Sequence, residues 1–187
     1  MAIFLTSDTH YLHRRILEFC PARGFDNIDD MGEAMIKRWN SVVGHNDLVY
    51  HLGDFAFQVG SRMKDHQNTV RRLNGTVVVV RGNHDDPSKL REMGFEYIVN
   101  EAYVTIDGTK VWMHHFPLVS HDDREQYKRP EAQLPWDLAC FGHTHCEKGQ
   151  EVYRVDGVMK GLNVGVDAHD STPWAWEEIR ELIDANS

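Results

Sequence analysis

Apolar residues fall in short bursts along this 187-residue chain, and most bursts stop abruptly at a polar cluster. The plainest is Val77–Val80, four valines that give way after Arg81 and Gly82 to Asn83, His84 and Asp85. β-branched residues favour extended backbone. A run without alternation suits a strand covered on both faces, as in α/β proteins. By the same reading Ala2–Thr6, Asp47–Leu52, Glu101–Ile106, Thr109–Met113, Asp137–Phe141, Glu151–Val155 and Gly161–Val166 are strands. Asp107-Gly108 predicts a tight hairpin turn, and Asp156-Gly157 joins the last two runs.

Between the strands the period changes to that of a helix. Met31, Met35, Ile36, Trp39, Val42 and Val43 form one stripe, so Asp30–Val43 is the clearest helix, with Asp30 and Glu33 as its capping pair. Leu12–Phe19, Ser61–Leu73 and Pro87–Met93 follow the same spacing more weakly. Thr172 is expected to cap a last helix, with Pro173 at its first position, running through Trp176, Ile179, Leu182 and Ile183. Residues 121–136 are long and charged, as expected of a loop or lid beside a site. Strands alternate with helices early and pair as hairpins late. That order predicts an α/β fold of mixed sheets flanked by helices. With no repeat or linker, one domain over 1–187 is expected.

Charge and cysteine content narrow the function classes. A formal net charge of −9 argues against an extended nucleic-acid surface. No apolar run reaches the ~20 residues that span a bilayer, so no membrane partner is expected. Cys20, Cys140 and Cys146 are too widely spaced for a disulfide framework. The start lacks the basic region of a signal peptide, and a cytoplasmic location is expected.

The polar clusters at the ends of the bursts carry the chemistry. They supply Asp8 and His10, Asp54, Asn83 and His84, His114 and His115, and His143 and His145. Open α/β sheets place their sites just outside the carboxyl ends of strands. Residues i and i+2 share a face on extended backbone. Asp8 with His10, and His143 with His145, are therefore expected as same-side pairs. Together with Asp54 and Asn83 they offer nitrogen and oxygen donors for two divalent ions. Two carboxylates leave such a pair with excess positive charge, which suits an anionic phosphate. Asp54 is the candidate bridge. Imidazole and carboxylate donors suit Mn, Fe, Ni, Co or Zn.

These motifs closely resemble the calcineurin-like metallophosphoesterase superfamily: Asp8-x-His10, Gly53-Asp54, Gly82-Asn83-His84-Asp85, a later His before Phe116-Pro117, and Gly142-His143-Thr144-His145. His13 and the tail Leu162–Asp167 with Pro173 are similar to small bacterial and phage members. The resemblance implies a four-layer α/β/β/α sandwich with two metals above the sheet edges. One ion would be held by Asp8, His10, Asp54 and His145. The other would be held by Asp54, Asn83, His143 and one of His114 or His115, with the Phe116-Pro117 register favouring His115. His84 would contact the phosphate and protonate the leaving oxygen, oriented by Asp85. The implied reaction is hydrolysis of phosphate esters by a metal-activated hydroxide, foremost small phosphodiesters such as cyclic nucleotides. A phosphomonoesterase or a nucleotide pyrophosphatase-type hydrolase is the alternative, and an inactive protein-binding scaffold of the same fold a more distant one. Residues 53–59, Gly-Asp-Phe-Ala-Phe-Gln-Val, depart from the Gly-Asp-x-x-Asp-Arg-Gly run of the Ser/Thr protein phosphatases, so a protein substrate is not expected. Arg81 reads as a solvated arginine at a sheet edge or, second, as a phosphate contact.

Overall fold

Phe4, Val49 and Val77 stand side by side on three adjacent strands, and one residue along Leu5, Tyr50 and Val78 do the same. The first row faces helices and the second row's Leu5 and Tyr50 face another sheet. This two-sided burial is why the valine run shows no alternation. The structure is a computed structural model and describes residues 1–57, 59–117 and 134–186. Most of the polar stretch expected at 121–136 lies outside the described residues.

The first sheet has the order β10-β1-β2-β3-β4, built from β1 (Ile3–Thr6), β2 (Leu48–His51), β3 (Thr76–Val80), β4 (Tyr97–Val99) and β10 (Trp174–Ala175). Its strands are parallel except β10. The second has the order β5-β6-β7-β9-β8, from β5 (Ala102–Ile106), β6 (Thr109–Met113), β7 (Leu138–Phe141), β8 (Val152–Val155) and β9 (Val158–Asn163). There β6, β7 and β9 run parallel and the edges antiparallel. The helices are α1 (Ile16–Phe19), α2 (Ile28–Val42), α3 (Met63–Arg72), α4 (Pro87–Met93) and α5 (Trp176–Ala185). None of them is long and apolar enough to cross a membrane.

Leu5, Leu52 and Val80 of the first sheet pack against Val111, Met113, Leu138, Cys140 and Leu162 of the second, with Trp176 and Ile179 of α5 in the same core. On the opposite face of the first sheet, Met31, Met35 and Ile36 of α2 and Leu90 and Met93 of α4 pack with Val79 and Phe55. Each such side chain, fully buried, contributes about 1.5–3 kcal/mol. The outer face of the second sheet carries Trp112, Ala139 and Phe141, with Tyr103, Trp136 and Tyr153 packed against them. The result is the mixed α/β sandwich that the sequence predicts.

Several boundaries differ from expectation, each for a local reason. Helix α2 starts earlier, at Ile28, because the Asn27 side chain caps it by accepting from the Asp30 amide at 2.8 Å. Glu33 is thereby freed from capping and pairs with both Nη atoms of Arg72 at 2.6 Å. The helix expected over 12–19 shrinks to α1, since His10 and Leu12 take left-handed backbone, with φ of 48° and 64°. Helix α3 starts at Met63, after a 3-10 turn over Val59–Arg62. Strand β9 starts at Val158, three residues before the expected Gly161. Thr172 and Pro173 do not begin the last helix. Trp174 and Ala175 first pair with β1, and the helix then starts at Trp176, with the Glu178 carboxylate accepting from the Ala175 amide at 2.7 Å. Strand β4 has only three residues, too short to show a period.

Candidate metal centre

The carboxyl ends of β1, β2, β3, β6, β7 and β9 come to one edge of the sandwich. Backbone ladders continue past the strands and lace these ends together. Asp8 N donates to Gly53 O at 3.0 Å, His10 N to Asp54 O at 3.0 Å and Gly142 N to His115 O at 3.0 Å. Ser7 bridges to Gly165, joining the two sheets.

The backbone there is not extended. Asp8, His10, Asp54, His143 and His145 all have positive φ, between 48° and 69°. The same-side pairing expected for His143 and His145 therefore fails, and the two imidazoles join different groups. Asp8, His10 and His145 bring donor atoms within 4.8 Å of one another, and so do Asp54, His115 and His143. Asp8 and His10 do share a group, reached through left-handed turns.

Asp54, of the second group, also approaches His10 of the first. Its Oδ1 accepts the His84 amide at 2.9 Å. Its Oδ2 lies 3.7 Å from His10 Nε2, 3.5 Å from His115 Nε2 and 3.9 Å from His84 Nε2. These separations exceed good hydrogen bonds. They are the size left between ligands of an ion with bonds of ~2.1 Å. Burial pushes the Asp54 carboxyl up, but His115, His10 and His84 outweigh it and hold the acid well below its usual range.

His10 fits a metal most directly. It is 2% exposed, yet neither ring nitrogen has a hydrogen-bond partner. Burial holds it well below its ordinary value and so neutral, the form that ligates. An orphaned neutral imidazole among carboxylates is costly for a protein, and a divalent ion relieves that cost.

His115 is fully buried, with Nδ1 donating to Leu52 O at 2.7 Å and Nε2 3.0 Å from Asn83 Oδ1. Burial lowers its pKa, but contact with Asp54 and the charge of Asp8 push it up to about 9. His114 stands outside the group: its Nδ1 accepts from Phe116 N at 3.1 Å, and its ring stacks on Trp112. Asn83 Oδ1 also lies 3.0 Å from His143 Nδ1. The His143 amide donates to both oxygens of Asp8, at 3.1 and 2.9 Å, so one turn positions a donor of each group. Burial, with charge on His115, lowers His143 to about 4.

His84 projects from the rim, its ring edge against Phe57 and His10. Asp85 does not orient it as expected. The Asp85 carboxylate instead accepts from the amides of Asp54 at 2.7 Å, Gly82 at 2.9 Å and Phe55 at 3.2 Å. Asp85 thus braces the Asp54 loop against the Gly82 turn, because three converging amides offer a buried carboxylate more than one exposed imidazole does.

Two residues that support the site escape sequence reasoning. Asp167 Oδ2 accepts from His145 Nδ1 at 2.8 Å and from Arg23 Nη2 at 2.9 Å, while Oδ1 takes Arg23 Nε at 2.8 Å. Arg23 Nη2 also donates to Asp8 O at 2.8 Å. A buried ion pair thus ties β1's end to β9's and fixes the His145 tautomer. Burial would lower His145, but Asp167, Cys20 and Asp8 push it up to about 10. The signal for Asp167 was its place just beyond a strand run; Arg23, in a Pro-Ala-Arg-Gly turn, carried none.

A cleft of about 510 Å3 opens beside the group and is lined by residues that include Arg81, Asn83, His84, Asn100, His114 and Phe116.

The chain is 31% identical to an uncharacterized protein of Methanocaldococcus jannaschii over 97% of this chain and 91% of that one. It is 24% identical to the Gene 66 protein of Mycobacterium phage L5, over 88% and 86%. Its fold matches the crystal structure of a protein of unknown function from Aquifex aeolicus with a TM-score of 0.74, at 23% identity and 97% and 99% coverage. The model of the calcineurin-like phosphoesterase superfamily domain matches residues 1–170, which takes in both donor groups and the Arg23–Asp167 pair, and the chain belongs to that superfamily.

Proposed function

We propose that this protein hydrolyses small phosphodiesters, with two divalent transition-metal ions held on either side of Asp54. The observation that carries this reading is that Asp54, a member of one donor group, holds Oδ2 3.5 Å from His115 of that group, 3.7 Å from His10 of the other and 3.9 Å from His84. Asp8, His10 and His145 would hold one ion; His115 and His143, with the Asn83 amide oxygen, would hold the other. Such ions neutralise phosphoryl charge and make water a nucleophile near neutral pH.

The chain's own residues supply the rest. Water oxygen bonds to phosphorus as the bond to the leaving oxygen breaks, and the leaving oxygen takes a proton. His84 would give it, standing at the rim and outside both donor groups. Its backbone N–H donates a hydrogen bond to Asp54 Oδ1, which ties its turn to the centre. Asp85 keeps the loop rigid and Asp167 keeps His145 turned inward. We place the protein in one domain acting on a small ester, with cyclic nucleotides first among the candidates.

The test is hydrolysis by metal-stripped protein reconstituted separately with Mn, Co, Ni and Zn. Substrates are bis(4-nitrophenyl) phosphate, cyclic nucleotides, dinucleoside pyrophosphates and 4-nitrophenyl phosphate. Metal-dependent turnover with diesters ahead of monoesters is the expected result. Preference for a monoester or a pyrophosphate would replace the diester reading. Absence of turnover with every metal would leave a metal-binding scaffold.

A further inference from the structure

Resting on that reading, we infer that the cleft beside His84 selects phosphoesters whose leaving alcohol carries a second anionic group, bound by Arg81. The cleft has a built cation. The Arg81 guanidinium is half-buried, donating from Nη1 to Asn100 Oδ1 at 3.1 Å and from Nη2 to Asp85 O at 3.4 Å. Its Nε is buried without a partner. Both acceptors are neutral, and Arg81 makes no ion pair among the described residues.

By contrast Arg23, whose Nη2 donates to Asp8 O, is neutralised by Asp167. The carboxylate nearest Arg81 in sequence, Asp85, is turned inward to three backbone amides. Asp85 also lines the cleft, but its carboxylate is committed to those amides and forms no ion pair with Arg81, so an anion is the group that completes Arg81. A guanidinium offers five donors in a fixed fork, matched to carboxylate or phosphate oxygens.

The position of the cleft says which part of a substrate meets Arg81. His84 lines it. If His84 protonates the leaving oxygen, the leaving alcohol lies in this cleft. Phe116 also lines the cleft, its ring packed against His143 and His115. It gives the body of the leaving alcohol an apolar wall, while Arg81 and Asn100 take its charged end.

Three methyl aryl phosphodiesters test this, identical except for the para substituent on the departing phenol: a neutral methyl ester, a carboxylate and a phosphonomethyl group. They are compared on metal-loaded wild type, Arg81→Gln and Arg81→Lys. Arg81→Gln should lower kcat/KM for the two anionic substrates at least tenfold more than for the neutral one, the scale of one charge-assisted hydrogen bond. Arg81→Lys should recover part of the difference. The wild-type-to-variant ratio cancels intrinsic differences between the phenols, and the better anionic substrate tells carboxylate from phosphate. Calorimetry with the free phenols adds a readout apart from turnover, with anionic products binding Arg81→Gln more weakly. Equal losses on all three substrates would make Arg81 a brace of the Gly82 turn and overturn the inference while the phosphoesterase reading stood. No hydrolysis of any of them by metal-loaded wild type would overturn the reading and the inference together.

Discussion

Asp167 Oδ2 accepts a hydrogen bond from His145 Nδ1 at 2.8 Å across 22 residues of chain, leaving Nε2 as the nitrogen available to Asp8 and His10. The same carboxylate holds Arg23, which in turn holds the Asp8 carbonyl. Loss of an outer partner of this kind typically costs 10–100-fold in metal affinity. Asp167→Asn should therefore weaken metal binding by about that factor, read by competition with a chelator of known affinity. It should also lower thermal stability, because Arg23 is left buried without its counter-charge. Unchanged affinity would make Asp167 a purely structural partner of Arg23.

Elemental analysis of saturated protein should find two ions per chain. Asp54→Ala should remove both or leave one weakly bound. His115→Ala should empty one position, while His114→Ala should leave both filled, since His114 packs on Trp112 outside the donor groups. Metal loss in the His114 variant alone would reverse the assignment of the doublet.

His84→Asn should keep the fold and both metals but slow turnover by about 10²–10⁴-fold on an alkyl leaving group. The loss should shrink on a nitrophenyl leaving group, which departs without protonation. Equal losses on both would point to phosphate positioning in place of proton donation.

Gly142 lies against Ser7 and the Asp8 carboxylate, and a Cβ there would collide with Ser7 Oγ and Asp8 Oδ2. Gly142→Ala should cost about 1–3 kcal/mol, as overpacking does, and should displace Asp8 from the metal. Gly32→Ala is the matched control. It sits in α2 with nothing within 4 Å of the added carbon, so it should be neutral or stabilising. Chemical denaturation of both variants, with and without metal, decides the point.

His51 is fully buried behind the site, with Nε2 3.0 Å from Thr9 Oγ1, and burial lowers it from 6.5 to about 3. Folded protein keeps it neutral where unfolded chain takes up a proton. Its contribution is therefore complete above pH 6.5 and is lost as pH falls toward 3. Each such proton steepens the fall by about 1.4 kcal/mol per pH unit. Urea titrations of metal-free protein between pH 4 and 7 should show a slope shallower by about one proton in His51→Gln. An unchanged slope would count against the burial of His51.

The strands that build the site were legible because both faces of the first sheet are covered, so each apolar burst ends where the sheet ends. The donor residues were legible for the same reason, as polar groups at those abrupt ends. Their grouping was not legible from spacing, and came only from the family resemblance. His143 and His145 separate because their backbone turns left-handed, and nothing in Gly-His-Thr-His dictates that; contacts with Asp8 and Asn163 across the sheets do. The Arg23–Asp167 pair spans 144 residues and leaves no local pattern. Asp85 sits next to His84 in sequence but is captured by amides from another strand end, which adjacency cannot reveal.

The five site residues with φ between 48° and 69° have a bearing on engineering. A left-handed conformation costs an L-residue with a side chain about 1–2 kcal/mol, and glycine almost nothing. Replacing any one of Asp8, His10, Asp54, His143 or His145 with glycine relaxes the backbone while deleting a donor. A thermostability screen that never assays metal or turnover would thus enrich variants blind at the centre. For this fold the safest route to a more robust protein keeps those five positions fixed and seeks its gains in the helices and outer strands.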